Sequence, residues 1–557
     1  SLIWAGADAM GNLSTRRAPS WFARWAAFTL ALCALCGLHA PAHAQDPIPG
    51  SLHTSPFPGF ASGNGKIANL AIGAGHDYAQ TVAVQADGKV VIAGHCQVVG
   101  GSDFCIARLN TDGTPDTSFI GPNNSVTGSF LLSIGISTDN AYSITLQPDG
   151  KIVLAGQCYD ESNFDFCVAR LNANGTLDAS FVGPGGSGNG KFLLPIWSGD
   201  DTVRATVLQP DGKIVIVGQC GNSGETMVAF CVVRLNRNGT LDASFVGPGA
   251  SGPTQFLLQI APAGFDSGYS VALQADGKTV LAGSCYNGSN ADFCAARLNV
   301  DGTLDTSFDG PSGTGNGKFM LPVGLGDDSV RAIALQPDGK ILLAGTCSNG
   351  SNVDFCIARL NPGGSLDASF DGPSGAANGS FLLPIGTDND SLFAMALQAD
   401  GKIVLSGNCN NGSNNDFCLA RLHGDGSLDS TFDGPSGTGN GKFLLPIGTG
   451  DDQLRAAAQQ ADGKIVVAGY CSNSGNYDFC VARLNGGPYG ANDCSLDVDG
   501  DGKVVATTDL LIATRIALGM TGNAVLGGIS FASHAARKTW TEIRNYLVTQ
   551  CGMAVAQ

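Results

Sequence analysis

Short apolar runs alternate with turn-forming residues along most of the chain, and the same order of runs returns seven times, about every 62 residues. In the copy at 328–386, "DSVRAIALQ" and "KILLAGTC" are joined by "PDGK", "FCIARLN" follows a polar loop, and "SFLLPIG" follows a Gly-rich connection. Asp-Gly between apolar runs is a strong hairpin signal, because Gly adopts positive φ without cost. Each copy therefore predicts four short β-strands.

Seven copies of a four-stranded unit predict an all-β fold, a seven-bladed β-propeller. An open solenoid is the alternative and would need polar caps at its ends. The ends of the array favour a closed ring. The seventh copy stops after its third strand at residues 479–485, and "GNGKIANLAIG" at 63–73 matches the fourth strand "GNGKFLLPIG" at 439–448. The N-terminal strand is therefore expected to complete the last blade.

Two cysteines recur in every copy, at the end of the second strand and the start of the third. Of the 18 cysteines, Cys33 and Cys36 lie in an N-terminal apolar run, and an even number remains, which favours disulfides in an exported protein. Zinc would need C-x2-4-C spacing or histidines that recur beside the pairs, and the seven pairs have neither. We expect each pair to close one hairpin: Cys96 with Cys105, Cys158 with Cys167, Cys220 with Cys231, Cys285 with Cys294, Cys347 with Cys356, Cys409 with Cys418, and Cys471 with Cys480.

Export is predicted by the N-terminus. Three arginines precede the apolar run "WAAFTLALCALCGL", and "APAHA" ends in an A-x-A site, which predicts a signal peptide over residues 1–44, with residues 1–9 as an upstream extension before Met10. The run is too short for a comfortable membrane span. The net charge of −17 would repel nucleic acid and anionic membranes, so neither is expected as a partner. The mature protein is expected outside the cell or at its surface, as a monomer.

The phrases "QPDGKIVLAG" and "ARLNxDGTLDxSF" resemble the delta-60 repeat of secreted bacterial proteins, over about residues 58–487. The resemblance implies a propeller and no particular activity. Residues 45–57 are then a linker, residues 58–487 the propeller, and residues 488–557 a separate C-terminal domain.

An aspartate lies ten residues before the hairpin Asp of every copy, where the outer strand of one blade leads to the inner strand of the next. One hypothesis is a ring of carboxylates that binds a cation or a cationic ligand at the channel mouth. The alternative, which the frequency of Asp in turns favours, is that each Asp caps its own turn by accepting backbone N–H bonds. The ring consists of Asp77, Asp139, Asp201, Asp266, Asp328, Asp390 and Asp452.

Two further sets recur. Three residues after each ring Asp stand Gln80, Tyr142, Arg204, Tyr269, Arg331, Phe393 and Arg455, an alternation that predicts stacking between neighbouring blades, with a ligand site in the channel as the alternative. An arginine of the third strand and an aspartate after it predict ion pairs within a blade. These are Arg108, Arg170, Arg234, Arg297, Arg359, Arg421 and Arg483, with Asp116, Asp178, Asp242, Asp305, Asp367 and Asp429.

Signals for catalysis are weak. The chain has no G-x-S-x-G or H-E-x-x-H, and the five histidines after the signal peptide are scattered. The loops between second and third strands are rich in Asn, Ser and Gly, which hydrogen-bond well to sugars or protein backbone. We therefore expect a binding or structural module for an extracellular polysaccharide or protein, without catalytic activity. The alternative is a polysaccharide hydrolase or lyase that uses carboxylates at the channel mouth.

Composition changes at about residue 488, where an acidic loop begins. Asp497, Asp499 and Asp501 fall at loop positions 1, 3 and 5, and Lys503 would donate its carbonyl to the same hard cation. The loop resembles one half of a dockerin, or an EF-hand loop, which implies bound calcium in a small α-helical domain. A solvated acidic turn is the alternative.

The closing end of this loop departs from the resemblance. Position 12 carries Thr508 instead of a carboxylate, and Asp509 follows as the candidate closing ligand. Residues 520–550 hold no second loop, so a cohesin partner is not expected, and they include the helix-like "TWTEIRNYLVTQ". Cys494 and Cys551 are expected to join the two ends of the domain.

Overall fold

The computed structural model describes residues 49–54 and 60–487, except 125, 187, 225, 249–254, 263, 312, 314–315, 374, 376–377, 437–439 and 474. In the C-terminal part it describes residues 508, 511–512, 515–516, 520, 523–531 and 537–549. The described residues form 28 strands in seven separate four-stranded antiparallel sheets. The inner strand of each sheet contacts the inner strands of both neighbouring sheets, and the first contacts the last, so the sheets close into a ring. The predicted seven-bladed propeller is confirmed.

In each blade the chain runs from the channel outwards. The inner strands are β2 (Asp77–Val84), β6 (Asp139–Leu146), β10 (Asp201–Leu208), β14 (Asp266–Leu273), β18 (Asp328–Leu335), β22 (Asp390–Leu397) and β26 (Asp452–Gln459). The second strands are β3 (Val90–Val98), β7 (Ile152–Tyr159), β11 (Ile214–Gly221), β15 (Thr279–Tyr286), β19 (Ile341–Ser348), β23 (Ile403–Asn410) and β27 (Ile465–Asn473).

The third strands are β4 (Gly101–Leu109), β8 (Phe164–Leu171), β12 (Val228–Leu235), β16 (Ala291–Leu298), β20 (Val353–Leu360), β24 (Asn415–Leu422) and β28 (Asn476–Leu484). The outer strands of blades 1 to 6 are β5 (Ser129–Leu132), β9 (Lys191–Leu194), β13 (Gln255–Leu258), β17 (Lys318–Leu321), β21 (Ser380–Leu383) and β25 (Lys442–Leu445). The outer strand of blade 7 is β1 (Lys66–Leu70), which pairs with β28 as the sequence predicts.

The core lies between blades. Each apolar cluster joins residues of two adjacent sheets; for example, Phe104 and Ile106 of blade 1 pack with Ile152 and Leu154 of blade 2. Both faces of the second and third strands are therefore covered, which explains why their apolar residues do not alternate with polar ones.

Every inner strand carries a β-bulge at its fourth residue, and a glycine of the second strand makes room for it. In blade 5, Val330 pairs with Gly345 and Ala332 with Ala344, so Arg331 is left without a partner in the register. A Cβ on Gly345 would lie 1.9 Å from the carbonyl oxygen of Ser329, and the same close approach recurs in all seven blades. The glycine two residues before the first cysteine of each repeat therefore permits the bulge.

The cysteine pairs staple the second strand of each blade to the third. In blade 5, Gly345 pairs with Cys356 and Cys347 with Asp354, so the two cysteines are diagonal neighbours in the sheet. All seven predicted disulfides of the propeller are confirmed, with Cα–Cα distances between 5.6 and 5.8 Å. They join Cys96 to Cys105, Cys158 to Cys167, Cys220 to Cys231, Cys285 to Cys294, Cys347 to Cys356, Cys409 to Cys418, and Cys471 to Cys480.

The predicted ion pairs are also present in blades 1 to 6, where arginine Nε lies 2.6 to 2.8 Å from the aspartate. Each arginine also donates to a carbonyl oxygen of the next blade, for example Arg108 to Ala173 at 2.5 Å. These arginines therefore join neighbouring blades, which the sequence interpretation did not include.

Blade 7 lacks the segment that follows the third strand in the other blades, and the N-terminus supplies it. His53 N–H donates to the carbonyl oxygen of Arg483 at 2.8 Å, as Asp116 N–H does to Arg108 in blade 1. Phe60 contributes the aromatic ring, 4.5 Å from the Arg483 guanidinium. Residues 49–54, part of the segment predicted as a linker, thus pair with the end of β28.

The described C-terminal residues contain two short helices, α1 (Asn523–Leu526) and α2 (Trp540–Thr549). Helix α2 matches the predicted helix, and Thr539 and Glu542 form a capping box at its start, with Glu542 N–H donating to Thr539 Oγ1 at 3.3 Å. The calcium loop with Asp497, Asp499, Asp501, Lys503 and Asp509 lies outside the described residues, as do the pair of Cys494 and Cys551 and the signal peptide. In the described part of the chain, no helix combines the length and apolar character that crossing a membrane requires.

Candidate binding site at the channel mouth

The inner strands of the seven blades surround a central channel. Residues from all seven blades line a cavity of about 650 Å³ within it. The bulge in each inner strand re-aims one side chain, and those seven side chains are the predicted alternating set from Gln80 to Arg455. The channel surface is therefore set by the residue at one position of the repeat.

Arginines of this set stack on aromatic rings of the blades beside them, which confirms the predicted stacking. The Arg204 guanidinium lies 5.1 Å from the ring centroid of Tyr142 and 5.5 Å from that of Tyr269. Arg331 lies 4.2 Å from Tyr269 and 6.0 Å from Phe393.

Arg455 continues the series, 4.2 Å from the Phe393 ring, and then reaches Tyr470 of its own blade at 5.2 Å. Gln80 holds the corresponding position in blade 1. The row of stacked cations therefore runs around blades 2 to 7 and stops at blade 1.

The predicted ring of aspartates lies at one end of the channel, at the first residue of each inner strand. All seven are fully buried. Each carboxylate accepts the backbone N–H of a residue five or six positions earlier, at 2.6 to 2.7 Å, for example Ile72 in blade 1. This geometry is the one that turn capping requires.

Burial raises the pKa of the ring carboxyls, and the backbone N–H donors oppose the rise. The pKa of Asp201 and that of Asp452 are raised to about 6. Among the residues that the structure describes, no three His, Cys, Asp or Glu side chains form a group suited to a metal ion. Cation binding by the ring stays a prediction, and the functional proposal below does not depend on it.

Polar residues of the loops beside the ring connect adjacent blades. Asp327 accepts the backbone N–H of Ala291 in the preceding blade at 2.9 Å, and Asp451 accepts that of Asn415 at 2.9 Å. The Asn290 side chain donates to the carbonyl oxygen of Gly326 at 2.6 Å. Part of the polar loop surface is therefore engaged in joining blades.

One corner of this mouth differs from the rest. At the junction of blades 7 and 1, five rings form what we call the aromatic corner: His76, Tyr78, His95, Tyr470 and Tyr477. Tyr78 stacks on His95 with centroids 4.9 Å apart and meets Tyr470 edge-on at 4.9 Å. Tyr477 lies 5.6 Å from His76 and 5.4 Å from Tyr470. All five side chains are partly exposed.

Polar contacts fix the corner. Tyr477 N–H donates to His76 Nδ1 at 3.0 Å, and Arg455 Nη2 donates to the Tyr470 hydroxyl at 2.7 Å. Burial, and then the charge of Arg455, lower the pKa of His95 to about 4, so this imidazole is neutral at pH 7. Its Nδ1 is buried without a hydrogen-bond partner. The corner therefore joins an aromatic surface at the mouth to the row of channel arginines.

The sequence interpretation missed the aromatic corner, because it treated the histidines as scattered. The signal lies in a comparison of the seven copies at the same position. Where blade 1 has Tyr78, the other blades have Asn140, Thr202, Ser267, Ser329, Ser391 and Gln453. Tyr78 and Tyr470 lie in the first and seventh copies, which meet when the ring closes.

A second cavity, of about 720 Å³, opens at the same mouth over blades 4 to 6. Its lining includes Phe265, which is 45% exposed, and Tyr286, and it reaches Arg331. Phe265 stands where blade 5 has Asp327 and blade 1 has His76. Aromatic side chains therefore flank the channel entrance on two sides.

A closed ring of seven four-stranded sheets around a channel defines the class, a seven-bladed β-propeller. Its repeats match the family model described as a domain of unknown function (DUF5122) beta-propeller, at residues 85–119, 147–181, 209–245, 274–308, 336–370, 398–432 and 460–486. No curated protein matches the chain.

Among solved structures, the chain is similar to an ulvan lyase described as a new polysaccharide lyase family, PL25, with a TM-score of 0.42 and 11% identity over 76% of this chain and 96% of that one. It is similar to Chaetomium thermophilum Sqt1, with a TM-score of 0.38 and 11% identity over 76% and 89%. It is also similar to Drosophila Semaphorin 2a, with a TM-score of 0.41 and 9% identity over 77% and 78%. At these identities the likeness concerns the fold alone.

Proposed function

We propose that the protein is an exported, non-catalytic β-propeller that binds a polysaccharide across the mouth of its channel. The observation that carries the proposal is the aromatic corner. Five rings gather in one place, at the junction of the first and seventh blades. Binding sites typically combine aromatic side chains with a few placed polar groups, and tyrosine supplies a large, rigid contact area.

Saccharide chemistry fits this surface. A sugar ring presents an apolar face to an aromatic side chain and hydroxyl groups at its edge. The corner offers tyrosine rings, and the Asn- and Ser-rich loops of the same face offer amide and hydroxyl partners. Seven disulfides in one chain are typical of an oxidising compartment, which supports export to the place where polysaccharides are met.

The calcium loop at residues 497–509 belongs to the proposal as a stabilising or docking element of the C-terminal part. Three carboxylates at alternate positions suit a hard cation. Calorimetric titration with calcium, compared with Asp499→Asn, tests this element. Equal heats from both proteins would exclude it.

The test of the main proposal uses residues 45–557 on a panel of immobilised polysaccharides, with retention and newly released sugar ends both recorded. Tyr78→Ser introduces the residue that blade 5 has at Ser329, and Tyr477→Asn the residue that blade 6 has at Asn415, so the fold already accepts both. Each is expected to weaken retention more than about fivefold, or about 1 kcal/mol.

Tyr159→Ser is the matched control. It removes a tyrosine from the same face of blade 2, outside the corner, and installs the residue that blade 5 has at Ser348. Unchanged retention in the corner variants would contradict the proposed site. Release of sugar ends that is lost in these variants would establish the alternative, a polysaccharide hydrolase or lyase, and overturn the non-catalytic assignment.

A further inference from the structure

We propose that Arg204, Arg331 and Arg455 bind the carboxylate or sulfate groups of the ligand, so that the polysaccharide recognised at the mouth is an acidic one. This inference rests on the proposed function, because it names the class of saccharide that the same site takes. The three arginines line one cavity of the channel together.

Six of the seven strand-three arginines, all of them buried, are paired with a carboxylate, and the exception is Arg483, which contacts His53. The strand-three arginines of blades 1 to 6 each have an aspartate oxygen 2.6 to 2.8 Å from Nε. Among the described residues, no carboxylate makes an ion pair with Arg204, Arg331 or Arg455, and their neighbours are aromatic rings. The channel thus holds three positive charges without a direct ion-pair partner in a protein whose net charge is −17.

Donor groups of these arginines are also unused. Nε of Arg204 and Nε of Arg455 are buried without a hydrogen-bond partner. Nε of Arg483, outside the channel, is likewise buried without a partner, but the two channel Nε–H groups face one cavity, where they are available to an acceptor on a ligand. Burial lowers the pKa of Arg331, Tyr269 opposes this, and the charges of Arg204 and Arg455 lower it again. An anion between the three side chains would relieve both the desolvation and the repulsion.

The arginines connect to the aromatic surface. Arg455 donates to the Tyr470 hydroxyl at 2.7 Å, and Tyr470 meets Tyr78 at 4.9 Å between centroids. On the other side of the mouth, the second cavity reaches Arg331 from Phe265. A saccharide stacked at the mouth could therefore extend its acidic substituents to guanidinium groups, which suit carboxylate and sulfate geometry.

The acidic outer surface does not prevent this. Charges beyond about 8 Å are screened at physiological salt, so contact with the channel arginines outweighs distant repulsion. The repulsion is expected to slow association at low salt.

The experiment compares dextran, carboxymethyl dextran and dextran sulfate of matched length, which share one backbone and differ in charge. Arg204→Gln and Arg455→Gln install the residue that blade 1 already has at Gln80. Arg204→Lys keeps the charge. Arg237→Gln is the control, since it removes the same charge from an exposed turn outside the channel lining. Circular dichroism and unfolding midpoints verify that each variant is folded.

We expect the charged dextrans to bind at least tenfold more tightly than dextran. The Gln variants should lose that tenfold preference, about 1.4 kcal/mol, while Arg204→Lys and Arg237→Gln retain most of it. Equal binding of charged and neutral dextran, or Gln variants that keep the preference, would overturn the inference and leave the proposed function standing. Stabilisation by free inorganic sulfate with no dextran bound would overturn the saccharide assignment and the proposed function together.

Discussion

Removal of the strand-three arginine is expected to cost more stability in blade 6 than in blade 7. In blade 6, Arg421 is fully buried, with Nε 2.8 Å from Asp429, and it donates to the carbonyl oxygen of Gly486 in the next blade. In blade 7, Arg483 donates to Thr111 of blade 1 at 2.5 Å, and its Nη2 lies 3.1 Å from His53 in place of a carboxylate. Each guanidinium lies 4.5 Å from an aromatic ring centroid.

The expected loss of stability differs between the two variants because Arg421 has a carboxylate partner and Arg483 does not. Arg421→Met removes a hydrogen bond and a cation–π contact and leaves the buried Asp429 carboxylate without its main partner, which costs about 3–5 kcal/mol. We expect about 3 kcal/mol, because Lys402 Nζ still lies 3.6 Å from that carboxylate. Arg483→Met removes the same two contacts without leaving a carboxylate unpaired, so about 1–2 kcal/mol is expected.

Urea unfolding with disulfides intact, followed by far-ultraviolet circular dichroism, measures both variants. The double variant Arg421→Met/Asp429→Asn should recover at least about 1.5 kcal/mol of the single-variant loss, because it removes the unpaired charge. If Arg421→Met and Arg483→Met shift the urea midpoint equally, or the double variant recovers nothing, the ion pair is not what distinguishes the two blades.

Three further predictions concern the blades. Gly345→Ala places Cβ 1.9 Å from a backbone oxygen and should lower stability by about 1–3 kcal/mol, while Gly363→Ala, which meets nothing within 4 Å, should change the urea midpoint little. Burial raises the pKa of Asp165 to about 7, so the folded state binds this proton more tightly than the unfolded state does. Stability should therefore fall by about 1–2 kcal/mol between pH 5.5 and 7.5. A fall of the same size in Asp165→Asn would contradict this cause. The double variant Cys347→Ser/Cys356→Ser removes a disulfide whose cysteines are nine residues apart, and it should lower stability by up to about 2 kcal/mol without changing polysaccharide retention. A loss of retention would indicate that this hairpin shapes the site.

Repetition made the fold predictable. Asp-Gly turns, cysteine pairs and the orphan strand near residue 66 each recur or complement one another, so strand number, disulfides and ring closure followed from the pattern. The predicted ion pairs were confirmed for the same reason. The link from Arg108 to the next blade was not predictable in this way, because its acceptor is a backbone carbonyl, which leaves no mark on the sequence.

The site was only partly predictable. The stacking of the set from Gln80 to Arg455 was predicted correctly. The bulge that points these side chains into the channel was not, because it depends on a glycine of the next strand, such as Gly345 for Arg331. The aromatic corner was missed because His76 and Tyr477 are distant in sequence and meet only when the first and seventh blades close the ring. The N-terminal contribution of His53 to blade 7 was hidden in the same way, since the residue differs in type from the aspartate that it replaces.

These outcomes separate two kinds of position in a repeat protein. A residue identical in all copies, such as the glycine under the bulge or the buried ring aspartate, satisfies a requirement that every blade shares, and its cause is found in local geometry. A position whose residue changes from copy to copy is free of that requirement. Positions of this kind also occur in the turn after the third strand, as Arg237 and Val300 show, but those that line the channel and its mouth hold aromatic rings and the arginines that stack on them. The gathering of aromatic rings and arginines at one mouth is therefore the feature on which the proposed binding role depends.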